Sequence, residues 1–266
     1  MPRADVNGIS LYYESSGPST GSGDDAIVFC HGAGGNHLSW WQQVPHFSKR
    51  YRCITIDHRG FGSSLDAENG PGASAFAEDL RGLLDTLGIE RAFLVAQSMG
   101  GRTCMGFSAA YPGRVRGLVM CDTIGAMSDG SLDAAVAKSR ETRPAATLDT
   151  GAYNPKLREE RPSMAFLYDQ IRALNPPRSP NQPSPDGKYV ATTEKLAKFS
   201  MPVLFIAGSE DALVAPEVIH HASTLIPGAR YAEVPRCGHS VYFEDAPAFN
   251  RILEDFLKSA TGSAAK

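Results

Sequence analysis

The chain has 266 residues, 42% of them apolar and 21% charged, with a formal net charge of −3. That length buries a large core, as one domain or as a domain with an insertion, and the composition excludes disorder, collagen and coiled coil. The near-balanced charge gives no electrostatic reason to bind nucleic acid or an anionic membrane, and no apolar run approaches the ~18 residues of a bilayer span. The N-terminus has no apolar signal-peptide core. Cys30, Cys53, Cys104, Cys121 and Cys237 are scattered, with no Cys-x-x-Cys pair. A reduced, cytoplasmic protein with neither disulfides nor a zinc site is expected.

In chain order, residues 7–14 read as an opening antiparallel strand. Residues 26–30 are a bare apolar run ending in His31-Gly32, and 53–56 end in Asp57-His58-Arg59-Gly60. Similar runs at 93–96, 115–121 and 203–207 end in Gln97-Ser98-Met99-Gly100-Gly101, Asp122-Thr123 and Gly208-Ser209-Glu210-Asp211, and a last strand is expected near 231–234. Short apolar runs bounded by turn residues fit strands buried on both faces. Between them Phe76, Leu80, Leu83, Leu84 and Leu87 repeat at helical spacing, with Gly88 as the stop. Phe249, Ile252, Leu253, Phe256 and Leu257 repeat the same way behind Asp245 as N-cap and Pro247 in the first turn. Strand and helix in alternation predict an α/β fold, a mostly parallel sheet with helices on both faces.

Residues 125–198 break the rhythm. They hold no strong strand and eight of the eighteen prolines, five of these in a run at 176–185. One helix is expected there, with Pro162 at its start and Met164, Leu167, Tyr168, Ile171 and Leu174 on one face. An apolar helical face sets the segment apart from a disordered linker, and a small helical insertion with a stiff loop is the expectation.

The sharpest chemical signal is Ala96-Gln97-Ser98-Met99-Gly100-Gly101, between a strand and a helix. Small residues at 96 and 100 permit a very tight turn, which pushes Ser98 out at the sheet edge and onto a helix N-terminus, where negative charge is favoured. The pattern resembles the nucleophile elbow of the α/β-hydrolase superfamily, with Ala96 where glycine is usual. The resemblance continues through His31-Gly32, the turn at 57–64 and the final helix. It implies an α/β-hydrolase core at 1–124 and 199–266, a sheet of about eight strands, and a helical cap at 125–198. A serine hydroxyl needs a base, and the base an orienting acid. In the superfamily these follow in the order Ser, acid, His, which implies Asp211 and His239 here. Glu210 and Asp122 compete for the acid role, but Asp211 matches the position after the last-but-one strand.

Two backbone N–H groups must face the developing oxyanion. The resemblance implies those of Met99 and Ala33, with Gly34 as the fallback. By analogy with the family's cap, Met164, Phe166, Leu167, Tyr168 and Ile171 face the pocket or else pack cap onto core. Trp40 and Trp41 are candidates for its wall and His37 for its mouth. His31 and His58 read as structural hydrogen-bonders, His46 as surface or packing, and His220 and His221 as solvated helix residues. Gly32-x-Gly34 after a strand is also a partial dinucleotide fingerprint, but position 37 is His and that reading leaves Ser98, Asp211 and His239 without a task.

The expected protein is therefore a serine hydrolase without cofactor or metal, acting on a small or medium carboxylic ester or lactone. Alternatives are a carbon–carbon hydrolase of ring-cleavage diketones, a perhydrolase of the non-haem haloperoxidase type, and a ligand receptor of the same fold. The insertion carries no dominant charge, with 11 basic and 9 acidic residues, so a strongly charged substrate is not expected.

Overall fold

The computed structural model describes residues 2–18, 26–177 and 187–262. Eight strands form the main sheet: β1 (Arg3–Val6), β2 (Ile9–Ser16), β3 (Ala26–Cys30), β4 (Arg52–Ile56), β5 (Ala92–Gln97), β6 (Val115–Cys121), β9 (Val203–Gly208) and β10 (Arg230–Val234). Two short strands, β7 (Met127–Ser128) and β8 (Ala191–Thr192), pair in parallel apart from it. The sheet order is β1-β2-β4-β3-β5-β6-β9-β10. Pairing is parallel from β4 through β10, and antiparallel at β1/β2 and β2/β4.

The helices are α1 (Val44–Phe47), α2 (Phe76–Thr86), α3 (Gly100–Ala110), α4 (Gly130–Thr142), α5 (Leu148–Gly151), α6 (Lys156–Glu160), α7 (Pro162–Ala173), α8 (Thr193–Leu196), α9 (Pro216–Thr224), α10 (Val241–Glu244) and α11 (Ala246–Gly262). Successive strand side chains point to opposite faces. Ala26, Val28 and Cys30, with Leu94 and Met120, join one core under α2, α3 and α9. Ile27 and Phe29, with Val95 and Val119, join the other, under α11. This explains why the central runs are uninterruptedly apolar: both faces are covered. Gly88, at φ +64°, ends the Leu80/Leu83/Leu84 helix as its spacing predicts. Asp245 caps α11 by accepting the Ala248 N–H.

Two expectations need correction. The opening strand is a hairpin, because Asn7 and Gly8 take φ +47° and +81°, the left-handed pair that a tight two-residue turn requires. The insertion does contain strands, the two-residue β7 and β8, too short to leave a periodic signal. Residues 125–198 leave after β6 and return before β9, its neighbour in the sheet. Most of the proline-rich run, from 178 on, lies outside the described residues.

Candidate active site

Ser98 sits between β5 and α3 with φ +50°, a left-handed backbone that costs a non-glycine residue about 1 kcal/mol or more. Close packing holds it there. A Cβ on Gly100 would lie 2.2 Å from the Cys30 carbonyl oxygen, and one on Gly32 would lie 3.0 Å from the Ser98 Cβ. The tight elbow thus depends on Gly100 within the turn and on Gly32 in the loop packed against it.

The loops after β9 and β10 bring Asp211 and His239 to the same sheet edge. His239 Nε2 lies 2.8 Å from Ser98 Oγ, and His239 Nδ1 lies 2.8 Å from Asp211 Oδ2. Asp211 Oδ1 accepts the N–H groups of Leu213 and Val214, which fixes the carboxylate plane. Asp211 and His239 are buried, whereas Ser98 is partly exposed. Burial opposes the imidazolium form, but the charge and hydrogen bond of Asp211 more than offset it, and the His239 pKa lies above its ordinary value.

The competing acids lie elsewhere. Glu210 accepts from Asn154 Nδ2. Asp122 is fully buried with φ +53°; it accepts the Gly208 N–H at 2.9 Å and the Val241 N–H at 3.1 Å. It therefore ties the strand before the Asp211 loop to the helix after the His239 loop. Burial, followed by the Asp211 charge, raises its pKa well above the carboxylate range.

Sequence reasoning missed two further supports. Glu244 accepts the N–H groups of Gly238 and Ser240, on either side of His239, and that of Asn154 in the insertion. Gln97, inside the elbow motif, donates from Nε2 to the His239 carbonyl at 2.6 Å. An acid in the first turn of the helix after His239 was the available signal for Glu244; Gln97 left none beyond its place beside Ser98.

A cavity of about 420 Å³ opens on Ser98, within the usual range for small-molecule sites. Ala33 and Met99 stand in its wall, and among the described residues their backbone N–H groups have no protein acceptor. Gly34 does not line it, because the Tyr168 ring lies over that glycine. The opposite wall comes from α4, α5 and the 213–218 segment: Val136, Ser139, Arg140, Leu148, Leu213, Val214, Ala215 and Val218.

None of the eight side chains considered for the pocket lines this cavity. His37 is held by Asp57 at 2.8 Å, and Trp40 is buried against Phe29 and Tyr242. Trp41 lies on the surface beside Phe243. Met164, Leu167, Tyr168 and Ile171 pack α7 onto the core under α11, and Phe166 points to solvent, 64% exposed. For α7 the packing alternative holds: its apolar face belongs to the core, while α4, which has weak apolar periodicity, faces the cavity.

Asp57 and the remaining histidines have structural partners. Asp57 accepts from His37 and from the Ser63 N–H, which fixes its turn. His31 Nε2 accepts the His58 N–H, and His58 meets Thr103 Oγ1 at 2.8 Å. Burial lowers both imidazole pKa values, that of His31 to about 4. His46 pairs with Glu254 at the surface, His220 stacks on Tyr231, and His221 meets Ser131. All five cysteines are buried and free. No helix of the described residues is long and apolar enough to cross a membrane.

A family model described as "alpha/beta hydrolase fold" matches residues 25–246. The chain is 31% identical over 262 residues to a 2-hydroxy-6-oxononadienedioate/2-hydroxy-6-oxononatrienedioate hydrolase of Paraburkholderia phymatum, covering 90% of this chain and 88% of the relative. Among solved structures it is similar to the enol-lactonase from Burkholderia xenovorans, with 26% identity, a TM-score of 0.76, and 97% and 100% of the two chains covered. It is also similar to the esterase RhEst1 from a Rhodococcus species, with 25% identity, a TM-score of 0.73, and coverage of 97% and 98%.

Proposed function

This chain belongs to the α/β-hydrolase fold family and is a hydrolytic enzyme, and we propose that it cleaves a small or medium carboxylic ester or lactone through an acyl-enzyme on Ser98. The observation that carries this reading is the unbroken line Ser98 Oγ, His239 Nε2, His239 Nδ1, Asp211 Oδ2 at the mouth of a cavity. Ser98 Oγ attacks the carbonyl carbon while its proton passes to His239 Nε2. Asp211 holds the Nδ1–H tautomer and offsets the imidazolium charge. The N–H groups of Met99 and Ala33 receive the oxyanion, an interaction worth roughly 10²- to 10³-fold in rate per donor. On collapse the C–O bond breaks and the leaving alkoxide takes the proton from Nε2. A water then gives its proton to Nε2, attacks the acyl carbon, and Ser98 recovers its hydrogen. Only protons and electron pairs move, so the scheme requires no cofactor. The insertion acts as a cap, its α4 and α5 supplying part of the cavity wall.

A second reading, hydrolysis of a carbon–carbon bond in a ring-cleavage diketone, is favoured by the named activity of the Paraburkholderia relative. Mass spectrometry after a reactive organophosphonate, paired with p-nitrophenyl butyrate turnover, tests both. A single adduct on Ser98, with ester turnover that falls ~10⁴-fold or more in Ser98→Ala, supports the esterase reading. Labelling with negligible ester turnover but cleavage of a ring-cleavage diketone moves the assignment to the second. Absence of any adduct, with turnover intact in Ser98→Ala, overturns both.

A further inference from the structure

The cavity at Ser98 holds two charged side chains in its wall, Arg102 and Arg140, and no acidic one. Among the described residues neither guanidinium has a hydrogen-bond or ion-pair partner. By contrast, Arg59 is paired with Asp66 and Asp79, Arg114 with Asp85 and Arg158 with Asp169. Arg102 stands in the first turn of α3, and its side chain lines the same cavity as Ser98. It is half-buried in the cavity wall. Arg140, an exposed residue, reaches the same cavity from the last turn of α4. The rest of the wall is largely aliphatic. The N-terminal dipole of α3 adds to the positive potential at Ser98.

A pocket wall with two unpaired cations, one half-buried and one exposed, and no anion is suited to receive an anion. We propose that the substrate carries a carboxylate remote from the carbonyl under attack, and that Arg102 and Arg140 hold it. This deepens the serine-hydrolase reading and rests on it. Both guanidinium groups present planar donor forks that match a carboxylate in two parallel hydrogen bonds. The aliphatic wall takes the chain between the two ends of the substrate. The even charge count of the insertion hid this feature, because Arg102 lies in the core and Arg140 is one of many surface-patterned charges.

The test is a ratio of kcat/KM within two matched ester pairs at low salt: mono-4-nitrophenyl adipate against 4-nitrophenyl hexanoate, and 4-carboxyphenyl hexanoate against phenyl hexanoate. The carboxylated member of one pair should be preferred by about tenfold or more, a preference that shrinks in high salt. Arg102→Met should lower that ratio by about tenfold, Arg102→Lys by less, and Arg140→Met should lower it as well. Titration calorimetry of adipate reads the subsite without chemistry. Adipate binding to the parent protein and loss of it in Arg102→Met support the subsite even where neither pair is turned over, in which case the ester-hydrolase reading is what fails. Ester turnover with no preference in either pair, or a preference unmoved by Arg102→Met, overturns the proposal and leaves that reading standing.

Discussion

Replacing Asp122 by Asn separates its tie between two loops from the alternative that it serves as the acid for His239. The Asp122 carboxylate accepts two buried backbone N–H groups, from Gly208 and Val241, and is not hydrogen-bonded to His239. An amide of the same shape keeps one acceptor oxygen and turns an NH₂ toward the second N–H. Leaving one buried donor unmet costs about 1–3 kcal/mol. The lower half of that range is expected, because the amide also removes a carboxyl whose ionisation is opposed by burial and by Asp211. Asn tolerates the left-handed backbone at this position, so no strain is added. Urea unfolding should therefore show a clear loss of stability. The turnover of the folded variant should fall by no more than ~10²-fold, the effect of loops that hold Asp211 and His239 less tightly. Asp211→Asn is the matched control: turnover down by ~10⁴-fold through loss of the correct tautomer, with little change in urea midpoint. The reverse pattern, Asp122→Asn inactive at parental stability and Asp211→Asn active, would show that Asp122 is the acid.

Other perturbations have equally definite signs. Activity requires neutral His239, whose pKa is raised, so kcat/KM should climb with pH through a midpoint above 6.5. In Asp211→Asn burial acts without its counterweight, and the residual activity should titrate lower; a stationary midpoint would contradict the pairing. Burial lowers the His31 pKa to about 4 from 6.5, so below pH 6.5 the unfolded chain takes up a proton that the folded one refuses. At about 1.4 kcal/mol per pH unit this imidazole removes ~3 kcal/mol of stability as pH falls from 6.5 to about 4. Urea midpoints across that window should flatten in His31→Asn, and an unchanged slope would refute the assignment. Gly100→Ala would put a methyl 2.2 Å from the Cys30 carbonyl oxygen. It should lose about 1–3 kcal/mol or more despite alanine's better helix propensity, and a variant as stable as its parent would disprove the packing argument.

What the sequence made legible follows from how local each signal is. Ser98, Asp211 and His239 each lie in a loop directly after a strand, so a run of apolar residues and the turn that ends it were enough to bring them to one edge. The parallel sheet was readable for the same reason: β3 and β9 carry no polar residue, β5 none before its last, Gln97, and β6 none after Arg116. The pocket was not. Its far wall comes from α4 and the 213–218 segment, where scattered valines and leucines have no periodicity to mark a face. The clear stripe on α7 pointed to burial, and burial in the second core is what it found. The hairpin at Asn7-Gly8 was hidden because its first strand, Arg3–Val6, is only four residues long and half charged, although the Asn-Gly pair itself encodes the turn.

The grip of Glu244 bears on how far the insertion can be exchanged for another. One carboxylate spans Gly238, Ser240 and Asn154, and a Cβ on Gly238 would come within 2.4 Å of the Asn154 nitrogen. A transplanted segment must therefore present a backbone N–H at the place of Asn154, or leave a buried carboxylate short of a donor beside His239. Chimeras that splice before 152 or after 156 preserve this joint, whereas those that cut through it would alter His239 while changing no residue of its own loop. The junction, more than the helices it carries, limits which new substrate walls this scaffold accepts.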